Sequence, residues 1–261
     1  MKKSITTLFI SLMLIISCQN KPAAEKQIKE VKKEKTFSNK IEIAHKKASF
    51  LKHQAIQFEA NIEFGGNEVF NAKVSISTTS DIAKITYKNG DEIFVNKETI
   101  FVSPSLKDNA GVRFHAYTWN YFFLFPYKLS DNGTKWNDNF KTKETNNPFD
   151  TAKLSFGENI GDAPDDWYIV YANKENNLLD HAAYIVTVNK STEAAEADPH
   201  AIKYLNYKEV SGVPFASNWE FYEWNIEQGM SNKIGSAKIT NIQFIENFRE
   251  HFSVPKNYIQ K

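Results

Sequence analysis

One stretch, Phe114-His-Ala-Tyr-Thr-Trp-Asn-Tyr-Phe-Phe-Leu-Phe-Pro126-Tyr-Lys-Leu129, limits what this chain can fold into more than any other. Phe114, Tyr117, Tyr121 and Leu124 recur at helical spacing and share one side of a helix, while Trp119 and Phe123 make a second stripe. Only His115, Thr118 and Asn120 are left to face water. A helix apolar over most of its girth must be covered on more than one side, for instance between a sheet and its loops. Pro126 clashes with the turn before it, so the helix should stop at about Phe125. Burying five or six such aromatics at about 2 kcal/mol each gives roughly 10 kcal/mol, comparable with the net stability of a domain. Loss of this helix should therefore unfold the protein.

The cover is supplied by strands. Ile56, Phe58, Ala60, Ile62 and Phe64 alternate with Gln57, Glu59, Asn61 and Glu63, which is a strand with one wet face. Further strands are expected at residues 69–77, 83–87, 92–95 and 99–102, with Asn89-Gly90 suited to a tight hairpin. After the helix, the polar stretch 130–150 reads as turns and loop. Strands resume at 152–156, 167–171, 182–188, 202–207, 215–224 and 237–244. Many short strands joined by short turns indicate a mainly β, α+β chain built on an antiparallel sheet. A short helix is expected from Ser38, capped by Ser38 or Asn39, with Ile41, Ala44, Ala48 and Leu51 buried. The tail 246–261 reads as a short helix broken at Pro255.

The N-terminus carries an address. Met1-Lys2-Lys3 is followed by an apolar run, residues 5–16, too short for the roughly 20 residues that span a bilayer. Ile15-Ile16-Ser17-Cys18 then closes it, and Cys18 is the single cysteine of the chain. This ending resembles the lipobox of bacterial lipoproteins, which implies cleavage before Cys18, lipidation of its thiol and acylation of the new amino group. Gln19 follows where aspartate would mark inner-membrane retention, so the outer membrane is favoured. The domains expected are a signal at 1–17, a tether at 18–37, and one domain at 38–261. Residues 19–36 hold six lysines, three glutamates and no aromatic side chain, too little to offset the entropy of ordering.

Composition excludes more than it identifies. The chain has 32 Lys+Arg against 31 Asp+Glu, and removing Lys2 and Lys3 with the signal leaves 30 against 31. Such a near-neutral surface offers no field for a phosphate backbone, and nucleic acid is not an expected partner. The six histidines are scattered, and no metalloprotease pair, nucleophile elbow, phosphate loop or dinucleotide fingerprint appears. No catalytic residue and no cofactor are expected. Asp180-His181 invites a dyad, but neighbours on a strand point to opposite faces. Asp162, Asp165 and Asp166 form the best acidic cluster for calcium, yet their spacing fits no EF-hand, and Gly161 with Pro164 already explains them as a turn.

Three segments carry a resemblance: Phe123-Leu-Phe-Pro-Tyr-Lys-Leu-Ser-Asp131; Gly161-Asp-Ala-Pro-Asp-Asp-Trp-Tyr-Ile-Val-Tyr171 with Leu179 and Ala183-Tyr184; and Tyr207-Lys-Glu-Val-Ser-Gly-Val-Pro-Phe215. Together they resemble an uncharacterised family of Bacteroidota lipoproteins, itself distantly similar in fold to the lipoprotein-localisation carriers LolA and LolB. The resemblance implies a curved antiparallel half-barrel closed by a few helices and able to hold acyl chains. Neither Arg113 nor Arg249 aligns with a functional position of those carriers. The candidate lining of a cavity is Phe58, Ile62, Trp119, Phe122, Phe123, Phe125, Tyr184, Trp219, Phe221 and Trp224, with a dry aromatic core as the alternative. Two functions follow: a lipid-anchored module binding a hydrophobic ligand, or an accessory subunit of an outer-membrane assembly whose protein partner the sequence does not name. An envelope hydrolase is a third. The volume on the concave side discriminates the first two.

Overall fold

The computed structural model describes residues 35–145, 147–158 and 160–261. The signal, Cys18 and most of the tether lie outside the described residues. The chain opens with α1 (Phe37–Ala44) and α2 (Lys47–Phe50), then runs through β1 (Ala55–Phe64), β2 (Asn67–Ser77), β3 (Ile82–Tyr87), β4 (Glu92–Asn96) and β5 (Thr99–Val102). After α3 (Val112–Leu124) and a 3-10 turn at Phe125–Tyr127 come β6 (Thr134–Asn137), β7 (Phe149–Phe156), β8 (Tyr168–Asn173) and β9 (Leu179–Tyr184). Then follow α4 (Thr192–Glu196), β10 (His200–Val210), β11 (Val213–Asn225), β12 (Gly229–Ile245), α5 (Phe248–His251) and β13 (Ile259–Gln260).

Strand order forces the aromatic helix across the sheet. Strands β1 to β5 are successive neighbours, as are β6 to β12, and β1 pairs with β12 to join the two meanders. The order β13-β5-β4-β3-β2-β1-β12-β11-β10-β9-β8-β7-β6 makes one antiparallel sheet of 13 strands among the described residues. Since β5 lies beside one edge and β6 forms the other, their connection has to traverse a whole face, and α3 makes that crossing. The mainly β, antiparallel fold expected from alternation, and the curved open sheet with few helices that the resemblance implied, are the fold observed. Irregular register in β1, β8 and β11 bends the sheet. Where β12 crosses β1, a Cβ on Gly235 would stand 2.6 Å from the Glu63 carbonyl oxygen, so close approach of the strands requires glycine there.

Both faces of one half of the sheet are apolar. Tyr168, Val170 and Ala172 of β8 join the main core under α3, while Ile169 and Tyr171 turn to the opposite face. There they meet Ala183, Ala201 and Trp224, with Phe140 and Phe149 packed against them.

The structure corrects several expectations. Thr36, not Ser38 or Asn39, caps α1, its hydroxyl accepting from the Asn39 amide at 3.3 Å. Lys46 adopts φ 58° and breaks the helix, so the stripe does not continue: Ile41, His45 and Phe50 are buried, whereas Ala48 and Leu51 are exposed. β6 forms inside the polar stretch read as loop, because its pairing with β7 supplies the ladder its composition does not advertise. β12 runs 17 residues from Gly229, far longer than the 237–244 segment expected. Strand β9 ends at Tyr184 instead of reaching residue 188. The tail has its short helix, but it ends in β13 on the edge of β5.

Candidate functional site

The concave face is organised around α3. Its buried side chains are Val112, Ala116, Trp119, Asn120, Phe122, Phe123 and Leu124. Asn120, expected to face water, is therefore inside, and Phe114, Tyr117 and Tyr121 are only partly covered. Phe123 lies between two strand rings, Phe58 of β1 at 3.8 Å and Phe215 of β11 at 5.5 Å, both nearly parallel to it. Trp119 packs on Phe70 and Phe221 at 6.0 and 6.1 Å, Phe122 on Tyr184 at 5.0 Å, and Phe125 on Tyr168 at 4.9 Å.

Nine of the ten residues proposed to line a cavity, Phe58, Ile62, Trp119, Phe122, Phe123, Phe125, Tyr184, Trp219 and Phe221, thus share one core. Trp224 does not join them. It sits in the cluster on the opposite face, where its indole N–H donates to Tyr171 Oη at 3.1 Å.

The core is filled rather than hollow. Beside Phe123, Tyr127 and Phe215 the structure leaves a void of about 10 Å³, the lower limit for one water. Tyr127, Tyr204 and Tyr207 around it donate their hydroxyls to the backbone carbonyls of Pro214, Phe122 and Leu179. His45 also borders the void, and its Nδ1 has no hydrogen-bond partner among the described residues; nor has Asn120 Oδ1. Burial pushes the His45 pKa down to about 3. On the outer face, by contrast, a groove of about 530 Å³ runs over polar residues such as Asn61, Glu63, Asn218 and Lys238, the wet partners of the inward-facing positions.

Sequence reading missed His45, Phe50, Tyr204, Tyr207 and Phe215. Phe215 was inside an expected strand, and its parity with Trp219 and Phe221 could have found it. Tyr204 and Tyr207 could not both be placed by alternation, because Asn206 between them has φ 55°, outside the strand region. His45 follows the last turn of a helix and has no signal in sequence.

The other candidates take structural roles. Asp162 accepts two hydrogen bonds from Arg113, at 2.6 and 2.7 Å, tying the start of α3 to the loop before β8. Asp166 accepts from the Thr187 amide and hydroxyl at 2.8 Å each, and burial raises its carboxyl pKa. Among the described residues no group of three or more His, Cys, Asp or Glu side chains is arranged to hold a metal, so Asp162, Asp165 and Asp166 do not converge. Asp180 and His181, expected to point apart, are hydrogen-bonded at 2.7 Å; the His181 ring stacks on Tyr171 at 3.8 Å under the second cluster. Arg249 pairs with Asp81 in the same two-pronged way as Arg113 with Asp162, and holds that carboxyl well below the usual range.

No protein-family model matches the sequence, and no curated protein matches it either. Among solved structures, a LolA superfamily protein from Nitrosomonas europaea superimposes with a TM-score of 0.53 over 82% of this chain and 97% of its own, at 9% identity. The fold is LolA-like. A DUF1329 family protein from Desulfovibrio piger (TM-score 0.43, 10% identity, 84% of this chain and 98% of its own) is also similar. So is an outer membrane lipoprotein-sorting protein domain from Vibrio parahaemolyticus (0.44, 12%, 83% and 94%). At such identities the likeness concerns the LolA-like fold alone, and it rests on the first of the three.

Proposed function

We propose that this protein is a periplasm-facing lipoprotein, anchored through Cys18 to the outer membrane, whose half-barrel takes up the acyl chain of a hydrophobic ligand when α3 gives way. The observation that carries the reading is the make-up of the concave core. A whole sheet face is apolar, and it is covered mainly by α3 through ring contacts, with Ile41 of α1 and Phe50 of α2 beside it. That interface contains two buried polar atoms without partners, His45 Nδ1 and Asn120 Oδ1. Each costs about 1–3 kcal/mol in the closed arrangement, which lowers the work of opening it. The LolA-like fold and the lipobox-like Ile15-Ile16-Ser17-Cys18 support the same reading. The membrane and an acyl ligand are then the partners, and no cofactor or catalytic group is called for.

Thermal or urea stability with and without phospholipid tests it. A ligand that binds only the folded chain stabilises it by about 2.7 kcal/mol at a hundredfold excess over its dissociation constant. No shift with any phospholipid or fatty-acyl compound would favour the second reading, an accessory subunit with a dry core. The small size of the void, about 10 Å³, is the observation on that side.

A further inference from the structure

The void beside Phe123 has one uncommitted polar group, and its chemistry is narrow. His45 Nε2 accepts the Leu179 amide at 3.0 Å, which fixes the tautomer: the ring proton is on Nδ1. Nδ1–H is therefore a neutral donor, buried completely and without an acceptor among the described residues. The Pro214 carbonyl lies beside it and raises its pKa a little against the effect of burial, but Nδ1 makes no hydrogen bond of normal geometry to it. The three tyrosine hydroxyls around the void are committed to backbone carbonyls. None of the residues lining the void carries a positive charge.

We infer that His45 Nδ1–H reads the carbonyl oxygen of a neutral acyl guest, an ester or an amide, and that the site rejects free fatty acids. This rests on the acyl-binding reading above and deepens it. The guest's chain occupies the space that α3 gives up, and its carbonyl oxygen takes the position of the void of about 10 Å³ beside His45, which is too small for a head group. A single neutral donor satisfies a carbonyl, whereas a buried carboxylate with no cation beside it keeps most of its desolvation penalty. A pure hydrocarbon would leave Nδ1–H unpaired, as it is in the guest-free protein.

The test compares three probes of equal chain length, methyl laurate, laurate and dodecane, presented to the full chain at pH 7.5 from one detergent that does not bind. Methyl laurate should bind about fivefold or more tighter than dodecane, the worth of one neutral hydrogen bond, and tighter than laurate. In His45→Phe the ester and dodecane should bind alike. That variant also strands the Leu179 amide and can fail to fold, so the wild-type ring supplies an independent readout. In long-range nitrogen–proton spectra, the His45 Nδ1 proton should move downfield on adding methyl laurate and stay in place with dodecane. Equal binding of all three probes with an unmoved Nδ1 proton, or tighter binding of laurate, would overturn the inference while leaving acyl binding standing. Binding of none of them would overturn both.

Discussion

Removing the Phe123 ring probes most sharply how the concave core is held. The ring is 5% exposed and is stacked between Phe58 at 3.8 Å and Phe215 at 5.5 Å. Its neighbours cannot follow it: β1 is paired with β2 and β12, and β11 with β10 and β12, so both walls are fixed by ladders on either side. Phe123→Ala therefore enlarges the existing void instead of letting it collapse. Deleting a buried phenylalanine costs about 3–5 kcal/mol, and the two stacked pairs contribute about 0.5–1.5 kcal/mol each, which points to the upper half of that range. Urea unfolding followed by tryptophan fluorescence should show a lower midpoint with an unchanged slope. A loss below about 1 kcal/mol at the same slope would mean that the ring touches its neighbours without supporting them.

Acid should weaken the fold through His45. Its pKa is pushed down to about 3 in the folded state against 6.5 ordinarily, so the unfolded chain binds the proton more readily. The stability linked to it is complete above about pH 6.5 and is lost as pH falls towards 3, at about 1.4 kcal/mol per unit, with buried His181 and half-buried His115 shifted in the same direction. Urea midpoints that stay level between pH 7 and 4.5 would contradict this. Gly235→Ala should cost about 1–3 kcal/mol, since the new methyl meets the Glu63 carbonyl at 2.6 Å and the strands must part; an unchanged midpoint would show that β12 can yield. Metabolic labelling with a clickable fatty acid should mark the wild-type chain and not Cys18→Ala, and equal label in both would end the lipoprotein proposal.

The strands around α3 were legible because one wet face makes alternation visible, as in Phe58, Ala60 and Ile62 against Glu59, Asn61 and Glu63. β6 and β13 were not, because each is a short edge segment whose place comes from its partner, the next strand β7 for β6 and the distant β5 for β13, and not from its own composition. The length of β12 was hidden by its mixed surface, polar at Ser231, Asn232 and Lys233. Trp224 is a different case. It differs in parity from Trp219 and Phe221, so alternation alone already puts it on the opposite face. The rows of apolar residues indicated that a concave face exists, but whether it is open or filled depends on where α3 settles. That is decided by the contact of Phe123 with Phe58 and Phe215, a relation among three segments that no local pattern encodes.

On the proposed function, the filled half-barrel opens for an acyl chain. Native mass spectrometry of the full chain, isolated under mild conditions from cells that make it, reads this out. A non-covalently bound lipid, an ester or amide released when the protein is denatured, is the expected result. A chain free of any non-covalent lipid, under conditions in which other lipid-binding proteins of the same cells keep their ligands, would rule it out.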